Sequence, residues 1–158
     1  MEYYLASRAI APGQGHEAGR ALLASLYRQH TGQPLPAILR TDRGKPVFGD
    51  SPWHFSITHT KAHAFCALAK APIGIDAEEL DRKIDLRLAE KILSPGEKAQ
   101  WAGSPDRRLA LLTFWVLKEA RGKCTGAGIN GWPNDTDFSL DDPRVQIKDN
   151  CLLAVVME

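Results

Sequence analysis

"IGIDAEEL", residues 73–80, decides how this chain is read. Ile73 and Ile75 flank a glycine in a short β-type run, which predicts a strand. On a strand, Asp76 and Glu78 project from the same face, because side chains alternate. Two carboxylates held that close repel each other, and partial burial adds a loss of solvation. The pair therefore calls for something positive between them.

Just upstream, Ala71-Pro72 breaks the pattern, and before it "HFSITHT" and "HAFCALAK" read as two strands of a hairpin. Further back, "YYLASRAI" predicts a first strand, and "GQGHEAGRALLASLYRQHTG" a helix with Ala18, Ala21, Leu22 and Leu26 at helical spacing and Gly32 as its stop. "AILRTDRGKPVFG" reads as extended, since Pro46 biases Lys45 away from the α region.

Downstream, "LRLAEKIL" is helical, and "SPGEKAQWAG" starts with Ser94 as N-cap, Pro95 in the first turn and Glu97 at the capping-box position. "DRRLALLTFWVLKEARGKCTG" is the longest helical pattern, with Leu109, Leu112, Trp115 and Val116 on its apolar face. "DFSL", "RVQIK" and "CLLAVVM" are three strand candidates in the tail. Two similar halves result, each a strand, a helix and antiparallel strands, which predicts an α+β class with a boundary near Ala71-Pro72.

The chain has 158 residues, enough for one compact domain or two small lobes sharing a core. Its 20 basic and 19 acidic residues leave a formal charge of +1, which argues against a dedicated nucleic-acid binder. Anion recognition must then come from a local cluster of Arg and Lys. Cys66, Cys124 and Cys151 are odd in number and far apart, so neither a disulfide framework nor a C-x-x-C zinc site is indicated. The first residues lack a signal-peptide pattern, and no stretch approaches the ~20 apolar residues of a membrane span. A soluble cytoplasmic protein without a membrane or nucleic-acid partner is expected.

"FWVLKEARGK" carries the second informative pattern. Glu119 and Lys123 share a helix face, and one reading is an exposed pair worth about 0.3–0.5 kcal/mol to the helix. The other joins Glu119 to Asp76 and Glu78 as hard oxygen ligands of Mg²⁺, with Lys118 and Lys123 beside a phosphate. "RTDRGKP" sets Arg40, Arg43 and Lys45 around Gly44, either as a solvated loop or as a close approach to an anion. Arg20 lies on or beside the apolar stripe of the first helix, where its stem can pack and its head reach water. His59 ends a strand, either solvated or donating to a phosphate. His54, His59 and His63 have no recognised zinc spacing.

In order, "GRALL", "RTDRGKPVF", "HFSITHT", "IGIDAEEL" and "WVLKEARGKCTGAGI" resemble the 4′-phosphopantetheinyl transferases of the Sfp type. Members of that family carry a G-K-P segment, an F-N-x-S-H-like strand, G-x-D-x-E and W-x-x-K-E-x-x-x-K. "GAGI" at 126–129 also resembles the short, trimeric carrier-protein synthases of the superfamily. Ser56 and Thr58 stand where Asn and Ser are commoner, and Ala77 between the carboxylates offers no ligand. The chain is shorter than the usual Sfp-type enzyme, a difference expected in the N-terminal lobe and the C-terminal tail.

The resemblance implies transfer of phosphopantetheine from coenzyme A to a serine of an apo acyl or peptidyl carrier protein, releasing adenosine 3′,5′-bisphosphate. By motif position, Asp76, Glu78 and Glu119 would hold Mg²⁺, and Glu119 would also serve as base for the serine. Asp76, Glu119 and Lys123 would form the catalytic set, with Lys123 on the pyrophosphate. Lys118 matches the lysine before the glutamate. Arg20 and Arg40 match arginines that clasp the 3′-phosphate, with His59, Ser56 and Thr58 near the phosphates and Gly44 and Lys45 at the nucleotide end.

The fold implied is two pseudo-twofold-related lobes, each an antiparallel sheet on a long helix. Residues 1–71 would form the nucleotide side and 72–158 the metal side of one compact unit, expected to be a monomer. An acidic, helical carrier protein is expected to dock near Arg87, Lys91 and Lys98. Two other readings fit the same residues: a non-catalytic module that binds coenzyme A or a carrier protein, and a Mg²⁺-dependent phosphohydrolase.

Overall fold

A computed structural model describes residues 2–128 and 137–158. It has mixed α and β structure with antiparallel sheets. Strand β1 (Tyr3–Ala9) is followed by helix α1 (Gly15–Thr31), which Gly32 ends in a left-handed conformation. Short strands β2 (Ile38–Arg40) and β3 (Pro46–Phe48) pair as a ribbon. Strands β4 (His54–His59), β5 (His63–Ala69) and β6 (Ile73–Glu79) follow. A 3-10 turn at Leu86–Leu88 leads into α2 (Ala89–Ile92), α3 (Pro95–Ala102) and the long α4 (Arg107–Thr125). Strands β7 (Val145–Lys148) and β8 (Cys151–Met157) complete the chain.

Two three-stranded sheets result, ordered β1-β5-β4 and β6-β8-β7. Strand alternation gives each sheet two apolar faces. Cys66 and Leu68 of β5 pack under α1 with Leu23, Leu26 and Phe55. Leu152, Ala154 and Val156 of β8 pack under α4 with Leu112, Val116 and Leu117. The remaining faces meet in a shared core of Phe65, Ala67, Ile73, Ile75, Leu153 and Val155.

The edge strands β4 and β6 lie side by side, and side chains join them. Ile75 N–H donates to Ser56 Oγ at 3.0 Å, and Ala77 N–H to Thr58 Oγ1 at 3.4 Å. The hydroxyls satisfy backbone donors of an edge that would otherwise stay open.

Ser94 and Glu97 form the expected capping box on α3. "DFSL" is not a strand. Side chains of α3 capture its backbone instead: Phe138 N–H donates to Glu97 Oε2, and Gln100 binds Phe138 O and Leu140 N–H. With these groups satisfied and Phe138 in the core, the segment has no free ladder to offer.

Candidate active site

The residues of β6 that face α4 are Gly74, Asp76 and Glu78. Gly74 decides how close the helix comes. A Cβ there would lie 2.0 Å from Ala120 O and 2.3 Å from Cys124 N, so only glycine admits the helix backbone at this distance. The close approach brings one face of α4 onto the strand. Lys123 Nζ donates to Ile75 O at 3.0 Å and to Asp76 Oδ1 at 3.1 Å, and Trp115 Nε1 donates to Glu78 Oε1 at 3.3 Å. Lys123 thus pairs with Asp76 across the fold, rather than with Glu119 one turn back on its own helix.

Asp76 is buried and receives a further, long bond from Thr58 Oγ1 at 3.4 Å. Its Oδ2 is buried with no hydrogen-bond partner among the described residues. Glu78 is half-buried and pairs with Arg82 at 2.5 Å. Glu119 makes no ion pair or side-chain hydrogen bond among the described residues.

All three carboxyls are harder to ionise than usual. Burial raises Asp76, against the pull of Lys123. Burial and then the Asp76 charge raise Glu78, against Arg82. Glu119 is pushed up to about 7, by burial first and by the Asp76 charge second. The three acids feel one another, and the cations present do not fully compensate them. Their oxygens are nevertheless not gathered as a trio within 4.8 Å among the described residues.

Beside Lys123 a cleft of about 270 Å³ opens between the two sheets' halves of the chain, lined by Arg43, Gly44, Lys45, Ser56, Gly122 and Lys123 among others. Gly44 turns the β2–β3 loop with a positive φ of 90°. Arg40 Nη1 donates to Gly44 O at 2.9 Å, so it braces this loop instead of lining the cleft. Lys45 reaches across to donate to Cys124 O at 2.7 Å, and burial lowers its pKa. Arg20 is half-buried on α1, and His59 is exposed with its ring over Gly15 at the start of that helix; neither lines the cleft. Thr58 meets β6, while Ser56 both bonds β6 and lines the cleft.

The structure does not bring Lys118 to this cluster. Helical geometry turns it to the other side of α4, where its side chain is 1% exposed and its amine lies 2.8 Å from Glu97 Oε1. Phe138 covers the amine at 5.7 Å. Buried charges require such pairing, and this one ties α4 to α3. Sequence reading missed Arg82 and Trp115, the partners of Glu78. Trp115 recurs four residues before Glu119 and was the available signal; Arg82 follows Glu78 by four on a turn without helical periodicity.

The family profile described as the 4′-phosphopantetheinyl transferase superfamily matches residues 72–152, the stretch that carries β6, α4 and β7. The 4′-phosphopantetheinyl transferase psf-1 of Bacillus pumilus is 33% identical over 117 residues, 71% of this chain and 50% of that protein. The 4′-phosphopantetheinyl transferase AcpT of Escherichia coli O157:H7 is 35% identical over 114 residues, 69% of this chain and 56% of that one. The 4′-phosphopantetheinyl transferase gsp of Aneurinibacillus migulanus is 32% identical over 116 residues, 70% of this chain and 48% of the relative.

This chain belongs to the 4′-phosphopantetheinyl transferase superfamily. It spans about half the length of the curated relatives it matches.

Proposed function

We propose that this chain transfers the 4′-phosphopantetheine group of coenzyme A to a serine of an apo acyl or peptidyl carrier protein. The observation that carries this reading is the Asp76–Lys123 pair beside the cleft, with Glu78 and Glu119 in electrostatic reach. The serine Oγ forms a bond to the phosphorus bearing the pantetheine arm. The bond from that phosphorus to the bridging oxygen breaks, and adenosine 3′,5′-bisphosphate leaves with the electron pair. Glu119 accepts the serine proton, directly or through water. Lys123 stabilises charge on the pyrophosphate.

The residues fit Mg²⁺: three hard-oxygen donors, one of them presenting a buried oxygen with no partner, in a site short of positive charge. Asp76, Glu78 and Glu119 would hold the ion, which when bound supplies charge neutralisation for the pyrophosphate. Glu78 would exchange its contact with Arg82 for that role.

Gly44, Lys45 and Ser56, which line the cleft, are assigned to coenzyme A. Arg20, Arg40 and His59 are assigned to its phosphates from outside that lining, with Thr58 acting through Asp76. Residues 1–71 and 72–158 are read as pseudo-twofold lobes. The packing of α1 on the β4 sheet and of α4 on the β6 sheet supports that reading. A monomer in the cytoplasm is the working state; no helix of the described chain is long and apolar enough to cross a membrane. For carrier docking, Arg87 and Lys98 already pair with Asp85 and Glu90, so an acidic partner would compete for them.

The test is the intact mass of an apo carrier protein incubated with this protein, coenzyme A and Mg²⁺, with and without EDTA. A phosphopantetheine-sized gain that EDTA abolishes is expected. No gain with several carriers would refute the reading, and release of free phosphopantetheine with the carrier unlabelled would favour a hydrolase.

A further inference from the structure

The alternating rows that fill the core between the sheets end in side chains of a different chemistry. Phe65, Ala67 and Ala69 of β5, Ile73, Ile75 and Ala77 of β6, and Leu153 and Val155 of β8 face that core. The next positions on those faces are His63, Glu79 and Cys151. Glu79 and Cys151 are cross-strand partners. Cys151 Sγ lies 3.3 Å from Glu79 Oε2 and 3.6 Å from His63 Nδ1, and His63 Nδ1 lies 3.6 Å from Glu79 Oε1. Cys151 is fully buried, while the His63 and Glu79 side chains are 21% and 13% exposed.

A nucleophile relay would bind the thiol with one ring nitrogen and the carboxylate with the other. Here a single nitrogen faces both, so three donors converge on one point. Zinc bonds of about 2.3 Å to sulfur and about 2.0–2.2 Å to nitrogen or oxygen place tetrahedral neighbours about 3.3–3.6 Å apart. The sulfur–nitrogen separation falls in that range, as does the separation of each from its nearer Glu79 oxygen, and one donor atom from each residue lies within 4.8 Å of the others. Thr60 Oγ1 donates to Glu79 Oε1 at 2.9 Å and orients the carboxylate, as partners of ligating groups do. Glu79 and Thr60 also border an open cleft, which Lys61, Glu78, Arg82 and Lys83 share.

We propose that His63, Glu79 and Cys151 form a zinc-type site with three protein ligands, its fourth position taken by water from the neighbouring cleft. Binding forms bonds to thiolate sulfur, carboxylate oxygen and neutral Nδ1, and releases the thiol proton to solvent. The thiolate and carboxylate together balance the 2+ charge. The site clamps β5 of one sheet to β6 and β8 of the other. It lies on the opposite face of β6 from Asp76 and Glu78 and does not depend on the proposed transfer.

The test is a Co²⁺ titration of the chelator-stripped full chain, with excess Mg²⁺ present to occupy oxygen-only sites. One equivalent should produce thiolate-to-cobalt charge-transfer absorption, which one equivalent of Zn²⁺ abolishes. Folded Cys151→Ser and His63→Asn should lose the band and bind at least about 100-fold more weakly. In the wild type one equivalent of Zn²⁺ should raise the melting temperature, and folded Cys151→Ser should lose that rise. Absence of the band in the wild type, its persistence in folded His63→Asn, or a wild-type melting temperature unmoved by Zn²⁺ would each overturn the proposal.

Discussion

Lys123 holds only one of the two oxygens of Asp76: its amine bonds Oδ1, while Oδ2 stays buried and unpartnered among the described residues. The pair is asymmetric in exposure as well, since the lysine side chain is 35% exposed and the aspartate 9%. Asp76→Ala leaves a lysine that can turn to water, so the fold should survive while transfer falls by at least about 10²–10³-fold. Lys123→Ala instead leaves a buried carboxylate without its cation, and should cost about 1–3 kcal/mol as well as activity. Thermal melts with carrier labelling separate the two. Near-normal labelling by Asp76→Ala would remove Asp76 from the reaction.

The Glu119 carboxyl gives a pH signature. Its folded pKa of about 7 exceeds the ordinary carboxylate value, so the folded state keeps a proton that the unfolded state releases. Stability therefore falls as pH rises from the ordinary carboxylate range to about 7, and levels off above. In metal-free protein, Glu119→Gln should be more stable than wild type above that range, by about 1 kcal/mol or about 2–4 °C after solvent screening. The advantage should vanish below the ordinary carboxylate range. Melts across pH would show it, and a pH-independent difference would contradict the assignment.

Glu97 and Lys118 form a fully buried ion pair, and Glu97 also accepts from Ser94 N–H and Phe138 N–H at 2.9 Å each. Glu97→Ala should cost about 3–5 kcal/mol, because it strands a buried ammonium. Lys118→Met should be milder, as the backbone donors still hold Glu97. Coenzyme A affinity in folded Lys118→Met should match wild type in equilibrium binding. A tenfold loss would mean that Lys118 reaches the ligand.

Gly74→Ala sets a Cβ against the backbone of α4, with no flexible side chain to yield. The substitution should cost about 3 kcal/mol and displace Glu119 and Lys123 together. Denaturant unfolding and carrier labelling should both be impaired. A stable, active variant would show that the helix is not seated on Gly74.

Ser56→Ala removes the acceptor for Ile75 N–H on a buried edge. A loss of about 1–3 kcal/mol is expected. Thr58→Val should cost a similar amount and also disturb Asp76, so its labelling rate should fall more than that of Ser56→Ala. Equal rates would separate the seam from the chemistry.

Much of this protein is determined by local sequence. Alternation placed Asp76 and Glu78 on one face of β6, helical spacing put Glu119 and Lys123 on one face of α4, and the Ser94–Glu97 box and Gly32 marked helix ends. These patterns depend on periods of about 2 and 3.6 residues and on caps, which neighbouring residues alone specify. Tertiary structure decided what each charged group meets. Lys118 and Lys123 are five apart on one helix, yet one is buried against Glu97 and the other bonds Asp76. "DFSL" has strand-like composition, yet α3 takes its backbone groups. His63, Glu79 and Cys151 lie on three strands and meet only because two sheets share a core. Partners across a fold are chosen by packing between distant segments, and no short-range period records that choice.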